Sequence, residues 1–220
     1  MNPLTQTARN TVRRVADRGS FDRQTAYDIL DEAMVCHVGF VEGDQPMVIP
    51  TAYARMDDDL ILHGSVASRM LKTLTKRLPL CVTVTLLDGV VLARSVFESS
   101  MNYRSVVALG QAQLIEDDEH KRAALQRLTE HLAPGRWADA RQPSAKEMNA
   151  TSVLTMALEE ATVKVRQGPP QDLSKDLALP IWAGVIPLTL TPGEATSATD
   201  GAGITEIPDY VRQYSRGPRN

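Results

Sequence analysis

His63, Gly64, Ser65, Ser68, Arg69, Lys72 and Lys76 bring an imidazole, hydroxyls and cations together within fourteen positions. At helical spacing Val66, Ala67, Met70, Leu71 and Leu74 fall on one face, and Ser65, Ser68, Arg69, Lys72 and Lys76 on the other. A helix start offers unpaired N–H groups and the positive end of a dipole, and a preceding glycine lets a ligand approach the backbone, so this pattern suits a phosphate group. The same residues also fit an ordinary N-cap followed by a solvated cationic face. Arg104, in Asn102-Tyr103-Arg104-Ser105, is a second cation able to grip phosphate in bidentate fashion, and equally an edge-strand arginine in water. His63 titrates near neutrality and suits proton delivery, or simply a hydrogen bond.

These residues must be positioned by strands. Asp22 starts a helix carrying Ala26, Ile29, Leu30 and Ala33. A period-two run follows at Met34–Val41, then a β-rich run at Met47–Ala54 and a third strand at Leu60–Leu62, and the expected helix Val66–Lys76 comes next. Leu80–Leu87 and Val90–Phe97 flank Asp88-Gly89, a strong hairpin signal. Tyr103–Ile115 reads as a strand, Asp117–Leu132 as an amphipathic helix ended by Pro134-Gly135, and Ser144 with Glu147 as a capping box. Val153–Arg166 reads as one long strand with an irregularity at Glu159-Glu160, and Ala183–Leu190 as the last strand.

Six to eight antiparallel strands in adjacent hairpins, with interposed helices, predict a mainly β protein, a small barrel rather than a doubly wound parallel sheet. The expected organisation is an N-terminal arm over 1–22, a barrel domain over 23–190 and a polar tail over 191–220.

In their order, several segments resemble the FMN-binding split barrels related to pyridoxamine 5'-phosphate oxidase, most closely the branch with nitroimidazole-resistance reductases. The segments are Val48-Ile49-Pro50-Thr51, Leu62-His63-Gly64-Ser65 with Ser68-Arg69, and Met101 to Val107 closing at Gly110. Pro134 to Trp137, Lys164-Val165-Arg166 and Trp182 to Pro187 continue the resemblance. It implies a split β-barrel homodimer with FMN in clefts at the subunit interface. Ser68 and Arg69 would hold the phosphate, with Ser65 and Lys72 close by and His63 and Gly64 beside the ribityl chain or ring. Val48, Ile49, Pro50 and Thr51 would follow the isoalloxazine edge. Tyr103, Arg104 and Ser105 would contact the cofactor from the neighbouring strand, and Trp182 would close the cleft. Met70 stands where pyridoxamine phosphate oxidases carry a basic residue, so the resemblance implies flavin chemistry more than vitamin B6 oxidation.

The implied function is an FMN-dependent oxidoreductase that reduces a small electron-poor substrate. The alternatives are flavin binding without turnover, or a split barrel holding haem or a deazaflavin. The 220 residues carry 24 basic and 27 acidic side chains, a net charge of −3 that gives no chain-wide footprint for nucleic acid or membrane. Cys36 and Cys81 have no partners at metal spacing and read as core. No apolar run has the length of a spanning helix, and a cytoplasmic address is expected. Asp57-Asp58-Asp59 lacks the pattern of a calcium loop, and no hydrolase, P-loop or dinucleotide motif is present.

Overall fold

A computed structural model describes residues 2–198 and 206–215. Its strands are β1 (Gly19–Ser20), β2 (Val35–Glu42), β3 (Gln45–Met56), β4 (Asp59–Ser65), β5 (Pro79–Leu92), β6 (Ser100–Gln111), β7 (Gln113–Leu114), β8 (Thr151–Ala157), β9 (Glu160–Arg166) and β10 (Gly184–Pro187). The helices are α1 (Arg23–Glu32), α2 (Arg69–Leu74), α3 (Asp118–Leu132), α4 (Arg136–Asp139), α5 (Ala145–Ala150) and α6 (Asp209–Arg212). All pairings are antiparallel, in the order β1-β9-β6-β5-β2-β3-β4-β8-β7, with β10 added to β5. The order is open, as in a split barrel, and strand dominates over helix.

Alternation along β2 sends Cys36, Val38 and Phe40 inward and leaves Val35, His37 and Val41 outside. The inner side chains join Val82, Val84, Val106, Ala108, Leu154 and Met156 in the main core, which α1 covers with Ala26, Ile29 and Leu30. Burial pushes the Cys36 thiol up to about 12, so it stays protonated. A second core forms where α3 lays Ala124 and Leu128 over Ala54, Ile61 and Val153. His131, also on α3, is fully buried, with Nε2 2.7 Å from the Ala33 carbonyl oxygen.

Three expectations are corrected. Asp88-Gly89 is not a hairpin turn: β5 runs through it with a register shift between Leu87 and Gly89. β6 continues alongside on one edge while β10 pairs with residues 89–92 on the other, so strand pairing on both sides overrides the local turn preference. Gly89 suits this close pairing, because a Cβ there would sit 3.0 Å from the Ile186 carbonyl oxygen and β10 would have to give by a few tenths of an ångström. Tyr103–Ile115 and Val153–Arg166 each break into two strands, because the chain changes partner. β6 and β9 pair with each other, whereas β7 and β8 pair together beside β4. The helix expected over Val66–Lys76 is only Arg69–Leu74, capped by Ser68.

The arm is fastened down. Leu4 is buried in the core, and its N–H donates to the Phe21 carbonyl. Thr7 and Arg9 both bond the Glu160 carboxylate, which they hold down at about 2, from an ordinary 4.5. A depressed carboxylate pKa adds stability above the unfolded value and loses it as pH falls through the folded one. Between pH 4.5 and 2 the arm is therefore expected to detach, giving new pepsin cleavage within residues 5–18. Unchanged protection of that stretch at pH 2 would refute the tether. In the tail, residues 199–205 and 216–220 lie outside the described residues. Tyr214 donates to the Leu132 carbonyl at 2.8 Å, so this part of the tail docks on α3.

Candidate functional site

The cationic segment leaves β4 at Ser65, where Ser65 pairs with Thr151, Gly64 with Ser152 and His63 with Val153. Ser65 does not cap the helix. Its Oγ accepts from the Ala67 N–H at 3.1 Å, a local turn, and Ser68 one turn later is the cap, accepting from Leu71. Met70, Leu71 and Leu74 are buried on β4's side, leaving Arg69 and Lys72 outward. Among the described residues Arg69 is held only by an exposed ion pair with Glu42 at 3.3 Å, a contact of small worth. The chain's own packing does not demand Gly64, since a Cβ there would meet Leu71 at an ordinary 3.6 Å.

His63 is half-buried and its Nδ1 is sealed from solvent without a hydrogen-bond partner. Burial lowers its pKa below the ordinary 6.5, so the ring is neutral at pH 7. Its neutral form therefore adds stability above 6.5 that is lost as pH falls, while the unfolded chain takes up the proton first.

The Val48–Thr51 segment lies on β3, with Val48 opposite Gly39 and Pro50 opposite His37. Its alternation divides the four residues: Val48 and Pro50 are exposed, while Ile49 packs against the core and Thr51 is half-buried. Tyr103 and Ser105 lie on β6 opposite Leu87 and Thr85. A row of paired residues, Pro50, His37, Thr83, Val107 and Thr162, crosses the sheet from β3 to β9, so Val48, Pro50, Tyr103 and Ser105 share one outer face. Trp182 is 65% exposed in the approach to β10, its ring over Gly184, where a Cβ would lie 2.7 Å from the indole.

Arg104 takes the inner face. Nε and Nη2 donate to the Asp88 carboxylate at 3.0 and 2.8 Å, and Nη1 and Nη2 to Glu32 at 2.5 and 2.9 Å. Both edges of the guanidinium are thus engaged, and these bonds raise its pKa further above the ordinary arginine value. Sequence spacing gives no sign of this, because Glu32 ends α1 and Asp88 sits in the bulge. Arg104 also lies at a cavity of about 640 Å3 lined by Met34, Val35, Leu86, Leu87, Leu188 and Leu190 among others. That volume is in the range of small-molecule sites. The cavity was not legible in the sequence; its one wall comes from residues after β10. Among the described residues no group of three or more His, Cys, Asp or Glu is arranged for a metal ion, and no helix is long and apolar enough to cross a membrane.

Residues 22–165 match the pyridoxamine 5'-phosphate oxidase family model. Over nearly the whole chain the protein is similar to the flavocytochrome Anf3 from Azotobacter vinelandii, at 37% identity and a TM-score of 0.90, covering 96% of this chain and 98% of that one. It is likewise similar to an FAD- and haem-binding protein from Mycobacterium smegmatis, at 38% identity and a TM-score of 0.87, covering 92% of this chain and all of that one. A candidate 5-nitroimidazole antibiotic resistance protein from Bacteroides thetaiotaomicron is 27% identical with a TM-score of 0.56, over 66% of this chain and 84% of that one. No curated protein sequence matches. With the matched segment spanning most of the strands and both near-full-length relatives sharing the architecture, the chain belongs to the pyridoxamine 5'-phosphate oxidase-like superfamily of FMN-binding split barrels.

Proposed function

We propose that this protein is a flavin-binding redox protein that also takes up haem. The supporting observation is that similarity to two flavin- and haem-associated structures extends past the family segment 22–165 into the residues that wall the 640 Å3 cavity.

A flavin supplies electron transfer, and the residues present fit one. Ser68, Arg69 and Lys72, with Ser65 beside them, offer hydroxyls and loosely held cations to its phosphate. Gly64 would leave room at the backbone. Val48, Ile49, Pro50 and Thr51 offer an apolar strand edge to the ring, with Tyr103, Ser105 and Trp182 as further contacts. FAD and FMN share this chemistry, and FMN is the simpler assignment for a single cationic helix. His63, neutral and unbonded at Nδ1, is the group we assign to hold or pass a proton to the ring.

The cavity would take haem: its walls are mostly apolar, Arg104 with Glu32 and Asp88 would supply a polar margin, and Met34 would offer a thioether of the kind that ligates haem iron. None of the four histidines lines that cavity: His37 on β2 and His120 on α3 are exposed, His63 is half-buried, and His131 is buried and bonded to the Ala33 carbonyl. The exposed Val35, Val41, Val48 and Leu87 on the outer face suit a homodimer with the clefts at its interface. Reduction of a small electron-poor substrate is the activity this arrangement supports best.

The deciding measurement is the absorbance spectrum of the purified protein, incubated with FMN, FAD or haemin and desalted. Flavin bands together with a Soret band are expected; flavin bands alone remove the haem part, and a colourless protein removes both. Met34→Leu, His37→Ala and His63→Ala, read by the same spectrum, test which side chain would hold the iron, through loss or shift of the Soret band. His63→Ala is further expected to keep flavin binding and lower turnover at least tenfold, and full turnover in that variant would end the proton role.

A further inference from the structure

Arg166, at the end of β9, is the only arginine classed as buried among the described residues, at 6% exposure. Its Nη1 donates to the Asn102 side-chain oxygen, and the Asn102 amide donates in turn to the Gly168 carbonyl at 3.1 Å. The amide is thereby fixed, and the guanidinium is aimed by it. Nε is sealed and unbonded; Nη2 has no hydrogen bond yet keeps contact with solvent. No carboxylate lies within 4 Å of this group among the described residues, whereas Arg94 has Asp172 and Arg104 has both Glu32 and Asp88.

The neighbours add charge of the same sign. Arg166 pairs with Tyr103 of β6, and Lys164 lies two residues earlier on the same face, opposite Ser105. Arg18 directly precedes β1, whose Gly19 pairs with Lys164. Neither Arg18 nor Lys164 is in an ion pair among the described residues, and Asp17 in the same turn makes none with Arg166. Burial, reinforced by the charge of Arg18, lowers the Arg166 pKa. A buried cation without a counter-charge is strongly unfavourable, and removing its partner from a buried pair is among the larger single losses in folded proteins. Among the described residues the chain supplies none.

We propose that Arg166, oriented by Asn102 and flanked by Lys164 and Arg18, binds the phosphoryl group of a small phosphorylated ligand. Planar guanidinium and a dianion make charge-assisted bonds, and the free Nη2 is the point of entry. Arg166 lies on β9 and the cationic segment described above follows β4, so the two groups of cations belong to different strands. The Arg166 site stands without the cofactor reading above, because inorganic phosphate is its probe.

The experiment is the thermal midpoint of the full-length protein in phosphate against chloride at matched ionic strength. Wild type is expected to show a saturable rise. Arg166→Gln should weaken the phosphate half-point at least tenfold, with Arg166→Lys in between. Asn102→Asp delivers a carboxylate to Nη1; it should raise the phosphate-free midpoint and abolish the response. It also decides the matter if Arg166→Gln fails to fold. No saturable rise in wild type, or an unchanged response in Asn102→Asp, overturns the site. Repetition in saturating FMN and in riboflavin identifies the source: a response removed by FMN and spared by riboflavin assigns the site to the flavin's own phosphate. A response that survives both assigns it to a separate ligand.

Discussion

Arg104→Gln is expected to destabilise the protein by about 3 kcal/mol or more, the usual loss when one partner of a largely buried charge cluster is removed and the rest are left unpaired. Glu32 and Asp88 would face each other across the floor of the cavity with no cation between them. Their side chains are only 14% and 27% exposed, so water cannot take over the role of the guanidinium. Asp88 is in the bulge and Glu32 ends α1, so repulsion acts directly on the contact between helix and sheet. The check is urea unfolding of wild type, Arg104→Gln and the triple variant Arg104→Met/Glu32→Gln/Asp88→Asn. The triple variant should recover most of the loss, because no uncompensated charge remains. Arg104→Gln at wild-type stability would show that the four bonds are not holding the cluster.

The second large effect concerns binding. Arg69→Glu with Lys72→Glu is expected to weaken FMN at least a hundredfold. Each lost charge-assisted bond is worth about 1.5–3 kcal/mol, and tenfold in affinity is about 1.4. Riboflavin, which has no phosphate, should lose little, and that contrast isolates the phosphate from the ring. Stability should hardly change, since Arg69 is mostly exposed and its one ion pair, with Glu42, is long. Flavin fluorescence quenching measures both affinities. Equal FMN affinity in the charge-reversed variant would move the phosphate away from α2.

These two arginines show what a sequence does and does not disclose. Both stand beside hydroxyl residues and both suit phosphate by type. Their difference lies in long-range neighbours, two carboxylates for one and a single exposed glutamate for the other, and no local spacing encodes that. Local rules succeeded where the chain was its own partner. Asp22 and Asp117 cap α1 and α3, and Ser144 with Glu147 closes the capping box of α5. The alternation of β2 separates its inner residues from its outer ones as expected. Local rules failed where tertiary pairing took over. Asp88-Gly89 became a bulge because β6 and β10 hold both edges of the strand. Ser65 yielded the cap to Ser68 because β4 keeps its pairing with β8 up to Ser65. His131, on a helix with no sequence link to the site, is held in the core by Ala33 and lies against Tyr53, with ring centroids 5.6 Å apart.

The pairing of β10 with β5 also fixes an order of events. Gly184 meets Leu92 and Pro187 meets Gly89, so this ladder joins segments far apart in the chain, the kind of contact that forms late. Leu188, whose N–H donates to the Asp88 carbonyl, and Leu190 follow directly, and they wall the cavity opposite Met34 and Val35. During synthesis the inner sheet can assemble from residues 35–166 while that wall is still absent. The cavity therefore comes into being only when the last strand docks, and any ligand it holds becomes a clamp on the final step of folding, slowing the unfolding that starts with release of β10.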